Sequence, residues 1–236
     1  MLALKNIAGT QEKVESTRNY SDVNSSLLFM PDITGFTRFV QQAEPRHSNH
    51  IISELLEVLI DSNHLGLEIS ELEGDAILFY KYEHVPSLAS ILVQARRMFE
   101  NFHNHLKQYN ASGICSCGAK NIPVDLSLKI IIHQGKFEFT KVKQYRKPHG
   151  FDLILTHKLL KNSIDEKEYI LVTDGFNKEI SSLNSHGFSG EDFLAGKTTY
   201  KDIGEISYQY LSLKPMLDRI TKKGSDLPVC PMFVSR

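Results

Sequence analysis

Two carboxylates, Asp32 and Asp75, are the residues of this chain best suited by type and setting to do chemistry. Asp32 ends an apolar run, Ser26-Leu27-Leu28-Phe29-Met30-Pro31, and is followed by Ile33-Thr34-Gly35-Phe36-Thr37-Arg38, a glycine-containing turn that opens a helix. Asp75 lies within Ser70–Tyr80, where an extended run meets a Glu-Gly-Asp tip and a second apolar run follows. Gly74 supplies the φ > 0 conformation that such a hairpin tip often needs. If the two apolar runs are neighbouring strands, both acids converge at one sheet edge. Hard carboxylates with main-chain oxygens nearby form a Mg²⁺ site that still needs substrate phosphates to complete its shell. Singly, each acid also has a plainer reading, Asp32 as a helix cap or turn residue and Asp75 as an ordinary turn residue.

The elements that must hold these acids follow from periodicity. Leu27–Met30 reads as a buried strand, and Phe36 to about His64 as helix interrupted near Pro45. Residues 66–70 and 76–82 read as hairpin strands, and 85–109 as a helix whose core stripe includes Leu88, Ile91, Leu92, Ala95, Met98, Phe99 and Phe102. Leu126–His133 has strong β character and leads through Gly135 into 136–144, after which 141–149 reads as a basic loop. A helix over 150–162, a strand over 169–173, a short helix in 174–185, a glycine-rich loop over 186–197 and a late strand over 201–213 complete the domain. Residues 1–24 read as an N-terminal extension, 25–213 as the domain and 214–236 as a tail.

With 27 basic and 28 acidic residues, the formal charge of −1 argues against a nucleic-acid-binding protein. No apolar stretch approaches the roughly 20 residues needed to cross a bilayer. The N-terminus lacks the basic-then-apolar order of a signal peptide, which points to a cytoplasmic location. Three cysteines, Cys115, Cys117 and Cys230, fit a reducing compartment. Cys115-Ser116-Cys117 offers two thiolates, yet a structural zinc site wants four ligands, typically at Cys-x₂₋₄-Cys spacing. A partial metal knuckle and ordinary loop thiols both stay open. His103 and His105 are read as solvated residues or complements to a helix C-terminus, in preference to metal ligands.

Asp32-Ile33-Thr34-Gly35-Phe36-Thr37 together with Glu73-Gly74-Asp75-Ala76 resembles the metal-binding half of the class III nucleotidyl (adenylate/guanylate) cyclase catalytic domain. An apolar strand ending His133-Gln134-Gly135 extends the resemblance to a third block, and it spans about residues 24 to 213. It implies an α/β sandwich with a ferredoxin-like β-α-β-β-α-β core and C-terminal α/β additions. It also implies that Asp32, Asp75 and the Ile33 carbonyl hold Mg²⁺ or Mn²⁺, that Phe36 and Thr37 meet a nucleoside triphosphate (GTP or ATP), and that sites form at a dimer interface.

The same resemblance exposes departures. Members of that family carry Asn and Arg in a Gly-x-x-x-Asn-x-x-x-Arg helix start; from Gly150, this chain has Ile154 and Lys158 in those places. Ile cannot hydrogen-bond a ribose, and Lys keeps a charge without the planar fork of Arg. Glu71 stands where adenylate cyclases carry Lys and guanylate cyclases Glu; a strand-edge charge beside Glu68 and Glu73 is the equal alternative. Lys147, at the second base-selecting position, fits neither class. Arg146 and Lys158 are the cations available to meet transition-state charge. The reading is therefore of a divergent stand-alone domain that binds metal and nucleotide and cyclises weakly or not at all as a homodimer. The alternative is a non-catalytic signalling subunit that needs a cyclase-like partner chain to supply the missing residues.

Overall fold

A computed structural model of the chain describes residues 25–111, 115, 117 and 125–222. The first strand, β1 (Ser26–Thr34), is buried almost throughout, as a strand covered on both faces must be. Gly35, at φ 95°, turns the chain into α1 (Phe36–Gln42), and α2 (Pro45–Asp61) follows with Pro45 at its start. A proline is tolerated there because the first helical N–H groups have no intrahelical partner. The hairpin β2 (Glu68–Glu73) and β3 (Ala76–Lys81) leads to α3 (Leu88–Ala111) and β4 (Ser127–Gly135).

These elements form the ferredoxin-like core. In the seven-stranded sheet, β4-β1-β3-β2 is the contiguous block, and each neighbouring pair within it is antiparallel. The C-terminal part adds β5 (Glu138–Val142), β6 (Tyr145–His149), α4 (Phe151–Leu159) and β7 (Tyr169–Thr173). After these come α5 (Asn177–Ser181), the two-residue strands β8 (Asn184–Ser185) and β9 (Phe188–Ser189), β10 (Phe193–Tyr200), β11 (Gly204–Ser212) and α6 (Lys214–Lys222). Parallel pairing of β7 with β4 extends the sheet to the order β10-β11-β7-β4-β1-β3-β2.

Strand alternation divides the core by sheet face. Leu27, Phe29 and Ile33 of β1 pack with α1, α2 and α3 through Phe39, Ile51, Leu55 and Phe99. Leu28 and Met30 face the other way and pack with Leu153, Leu155 and Leu159 of α4. Helix α4 thus covers the sheet face on which Asp32, the next even-numbered residues of β1 counted, is carried.

Several elements differ from the periodicity reading. Residues 141–149 are not a loop: they form most of the β5–β6 hairpin, turned at Lys143 with φ 55°. Lys141, Arg146 and Lys147 at its exposed positions, with Pro148 inside it, hide the strand signal. Nor are 193–197 a glycine-rich loop, since they begin β10. Gly196 is there because an added Cβ would lie 2.4 Å from the Tyr208 ring, a packing requirement that looks like loop composition in sequence. The first nine residues of the segment read as a tail form α6, whose Met216, Leu217 and Ile220 pack on the main core. Helix α3 starts at Leu88, beyond Pro86, and β1 runs two residues past Asp32. The expectations for 1–24, 223–236, Cys230 and most of the loop after α3 lie outside the described residues. Among the described residues, no helix is long and apolar enough to cross a membrane.

Candidate functional site

Asp32 pairs with Ala76 across β1 and β3, and the Ile33 N–H donates to the Asp75 carbonyl at 3.0 Å. The two acids are therefore neighbours, one near the end of a central strand and one at the adjoining hairpin tip. Gly74 there has φ 62°, the conformation its place requires. Pro31, which cannot donate to a ladder, thins the hydrogen bonding just before Asp32. Burial, and next the charge of Asp32, push the Asp75 carboxyl above its usual range; its own backbone hydrogen bond and Lys129 oppose the rise.

Lys129 of β4, directly opposite Asp32, places its Nζ 3.0 Å from the Asp32 carboxylate and donates to the Leu160 carbonyl at 2.9 Å. Sequence reasoning did not single it out. Its signal was a lone charge inside the apolar run Leu-Ser-Leu-Lys-Ile-Ile-Ile. Two hard carboxylates side by side, with the Asp75 carboxyl raised by burial and by the charge of Asp32, form a donor set that fits Mg²⁺ or Mn²⁺, and a divalent ion would relieve that repulsion.

The sign of the Asp75 effect gives a test. A carboxyl whose folded pKa is raised favours its protonated form on folding, so ionised Asp75 costs stability at neutral pH and the cost fades as pH falls through the carboxylate range. Asp75→Asn is expected to stabilise the metal-free chain at pH 7, by no more than about 1 kcal/mol because the group is partly solvated. Melting temperatures of both chains at pH 7 and pH 4 should converge at the lower pH. A variant less stable at pH 7 would contradict this.

Glu71 and Glu73 project from β2 beyond a bulge between Ile69 and Glu71. Bulges re-aim side chains beside functional sites. His157 of α4 spans them, with Nε2 3.4 Å from Glu71 and Nδ1 3.1 Å from Glu73, and Lys147 lies 3.3 Å from Glu71. The structure thus brings together in one chain Glu71 and Lys147, the two residues for which the resemblance implies base selection. It also adds His157, for which no spacing rule prepared the reading. One atom each of Glu71, Glu73 and His157 lie within 4.8 Å of one another, close enough to share a cation.

The remaining residues are placed elsewhere. Lys158 is bound to Asp202 of the β10–β11 turn at 2.8 Å, which holds that carboxyl below its usual range. Arg146 stacks on Phe139 with its guanidinium carbon 3.5 Å from the ring centroid. Phe139 in turn packs on Tyr80 and Tyr82. Tyr80 is four residues along β3 from Ala76, about 13 Å at the usual strand rise, so Arg146 is not beside the acids of its own chain. Phe36 is partly buried against the main core, Thr37 is exposed, and Ile154 is 49% exposed on α4.

Helix α4 is itself positioned by the end of β4. His133, fully buried, lies 3.3 Å from the Asp152 carboxylate through Nε2 and 2.8 Å from Thr173 through Nδ1. The second Asp152 oxygen accepts the Lys136 N–H at 2.7 Å. Gly135 leaves the space: a Cβ there would lie 2.4 Å from Asp152 Cβ. The His-x-Gly block is therefore the socket of α4.

Residues 52–169 match a family described as a protein of unknown function, DUF2652. The chain belongs to that family. An uncharacterized protein of Mycobacterium tuberculosis, Rv2561/Rv2562, is 29% identical over 171 residues, which are 69% of this chain and 73% of that one. Among solved structures, the adenylyl cyclase CyaB from P. aeruginosa superimposes with a TM-score of 0.58 at 15% identity, covering 80% of this chain and 94% of that one. The guanylate cyclase domain of RhGC from Catenaria anguillulae, in complex with GTP, gives 0.52 at 16% identity, covering 80% and 97%. The fold is that of class III adenylyl and guanylyl cyclase catalytic domains.

Proposed function

We propose that this DUF2652 member is a cyclase-homology domain that binds a nucleoside triphosphate with Mg²⁺ or Mn²⁺ and turns it over weakly or not at all as a homodimer. The observation that carries the reading is the Asp32–Asp75 pair, set side by side with the Asp75 carboxyl raised by burial and by its neighbour. Bound there, a divalent ion would neutralise triphosphate charge and favour ionisation of an attacking hydroxyl. The chain's own part is to present both carboxylates, and Lys129 sets how much uncompensated charge they keep.

Poor turnover follows from α4. Ile154 has no donor for a ribose, and Lys158 is engaged by Asp202 of its own chain. Rigid donors aimed at developing charge are the largest single contribution in such transfers. Phe151 and Ile154 of α4 are exposed apolar side chains on the sheet face that carries the site, which favours a second chain covering this face. A cyclase-like partner supplying Asn and Arg is the second reading, and the same exposed side chains support it.

The test is one sample assayed two ways. Light scattering should give a dimer, and incubation with Mn²⁺ and GTP or ATP should give little cyclic nucleotide while raising the melting temperature. Robust cyclisation by the unmodified dimer contradicts the reading, as does a strict monomer at high concentration.

A further inference from the structure

On the opposite side of the sheet from α4, three ligating side chains converge that the cyclase-like site does not use. His47 lies in the first turn of α2 and heads its buried stripe of Ile51, Leu55 and Leu59; it is 2% exposed. Its Nδ1 is 3.1 Å from Cys117 Sγ, and its Nε2 is 2.7 Å from the hydroxyl of Tyr109 in the last turn of α3. Cys115 is buried beside them, and ligand atoms of His47, Cys115 and Cys117 all lie within 4.8 Å of one another. Neither cysteine is in a disulfide.

We propose that His47, Cys115 and Cys117 bind one Zn²⁺, with the fourth position taken by solvent or a small ligand. Zinc prefers this set: one imidazole and two thiolates, of the kind that builds three-ligand sites with an open position. Zn–N and Zn–S bonds of about 2.0 and 2.3 Å at tetrahedral angles put nitrogen and sulfur about 3.5 Å apart and the two sulfurs about 3.8 Å apart. The observed spacing needs only a small adjustment to reach that. Tyr109 completes the arrangement. With Nε2–H donating to its hydroxyl, the imidazole presents the Nδ1 lone pair to the sulfurs, as an outer partner that fixes tautomer and ring orientation does. Phe39 of α1 packs edge-on against the same ring at 6.4 Å, which further fixes its plane.

Bound zinc would tie the first turn of α2 to the last turn of α3 and to the segment before β4. The proposal does not depend on nucleotide binding, and the carboxylate pair can fail without it.

The experiment uses the full chain, expressed with added zinc and purified under reducing conditions. Metal analysis is expected to give about one zinc per chain. Cobalt exchanged into the site should show the sulfur-to-cobalt charge-transfer band that only thiolate ligation produces. The double variant Cys115→Ser with Cys117→Ser should lose both signals, and Cys230→Ser should keep both. Because removing His47 could unfold the chain, Tyr109→Phe is the gentler probe: it should stay folded and weaken zinc affinity about 10–100-fold in chelator competition. Zinc-free wild-type protein without a cobalt–thiolate band overturns the proposal. So does zinc retained by the double serine variant, zinc lost from Cys230→Ser, or unchanged affinity in Tyr109→Phe.

Discussion

Ile154→Asn with Lys158→Arg, and Asp202→Asn added to release the new arginine, should raise GTP cyclisation by the homodimer at least about 10²-fold. Each preorganised donor of this kind is worth about 10²–10³ in rate, roughly 2.7–4 kcal/mol, and the two together need not add because they act as a unit. The third substitution comes from the structure. Lys158 sits 2.8 Å from Asp202, and an arginine in its place would meet the same carboxylate before any phosphate. Ile154 needs no such release, being half exposed and free of polar obligations on its own helix. Glu71 predicts a gain with GTP larger than with ATP, since a carboxylate accepts from guanine N1–H and its exocyclic amine. Cyclic nucleotide production in Mn²⁺ by the double and triple variants is the measurement. A triple variant that binds nucleotide and stays inactive would mean that the defect lies outside α4.

Gly135→Ala should cost about 1–3 kcal/mol, a fall in melting temperature of roughly 2–12 °C. The reason is steric and local. Gly135 does not have a positive φ, so alanine meets no backbone strain. Its Cβ would instead stand 2.4 Å from Asp152 Cβ and 2.8 Å from an Asp152 carboxylate oxygen. Relief requires moving Asp152, which gives up its contacts with His133 and the Lys136 N–H and shifts the start of α4. Thermal unfolding with and without Mn²⁺–GTP checks both parts. The variant should lose more of the ligand-induced rise than of its intrinsic stability. An unchanged melting temperature would mean that α4 is not seated on β4 as described.

The convergence of Asp32 and Asp75 was legible in sequence because its logic is local. An apolar run, an acid and a glycine turn occur within a few residues, and Gly74 announces the hairpin tip. The core strands and long helices were legible for the same reason, their periods being sustained over many residues. What stayed hidden depends on pairing across the chain. Lys129 becomes part of the site only through the β1–β4 register, and His157 only through the fold of α4 over β2. His47 and Cys117 are 70 positions apart, and nothing in the Cys-Ser-Cys spacing points to a histidine on α2. The β5–β6 hairpin and α6 were missed because charged residues are prominent on their exposed faces and each contains a proline.

Calorimetric titration of Mn²⁺ into the chain, with and without saturating GTP, tests the central claim most directly. The carboxylate pair predicts weak binding alone and markedly tighter binding with the triphosphate. Asp32→Asn with Asp75→Asn should abolish the nucleotide-dependent part while leaving the fold intact by circular dichroism. Equal nucleotide-dependent binding in that double variant would contradict the account, because the metal would then be held without the two acids around which the site is built.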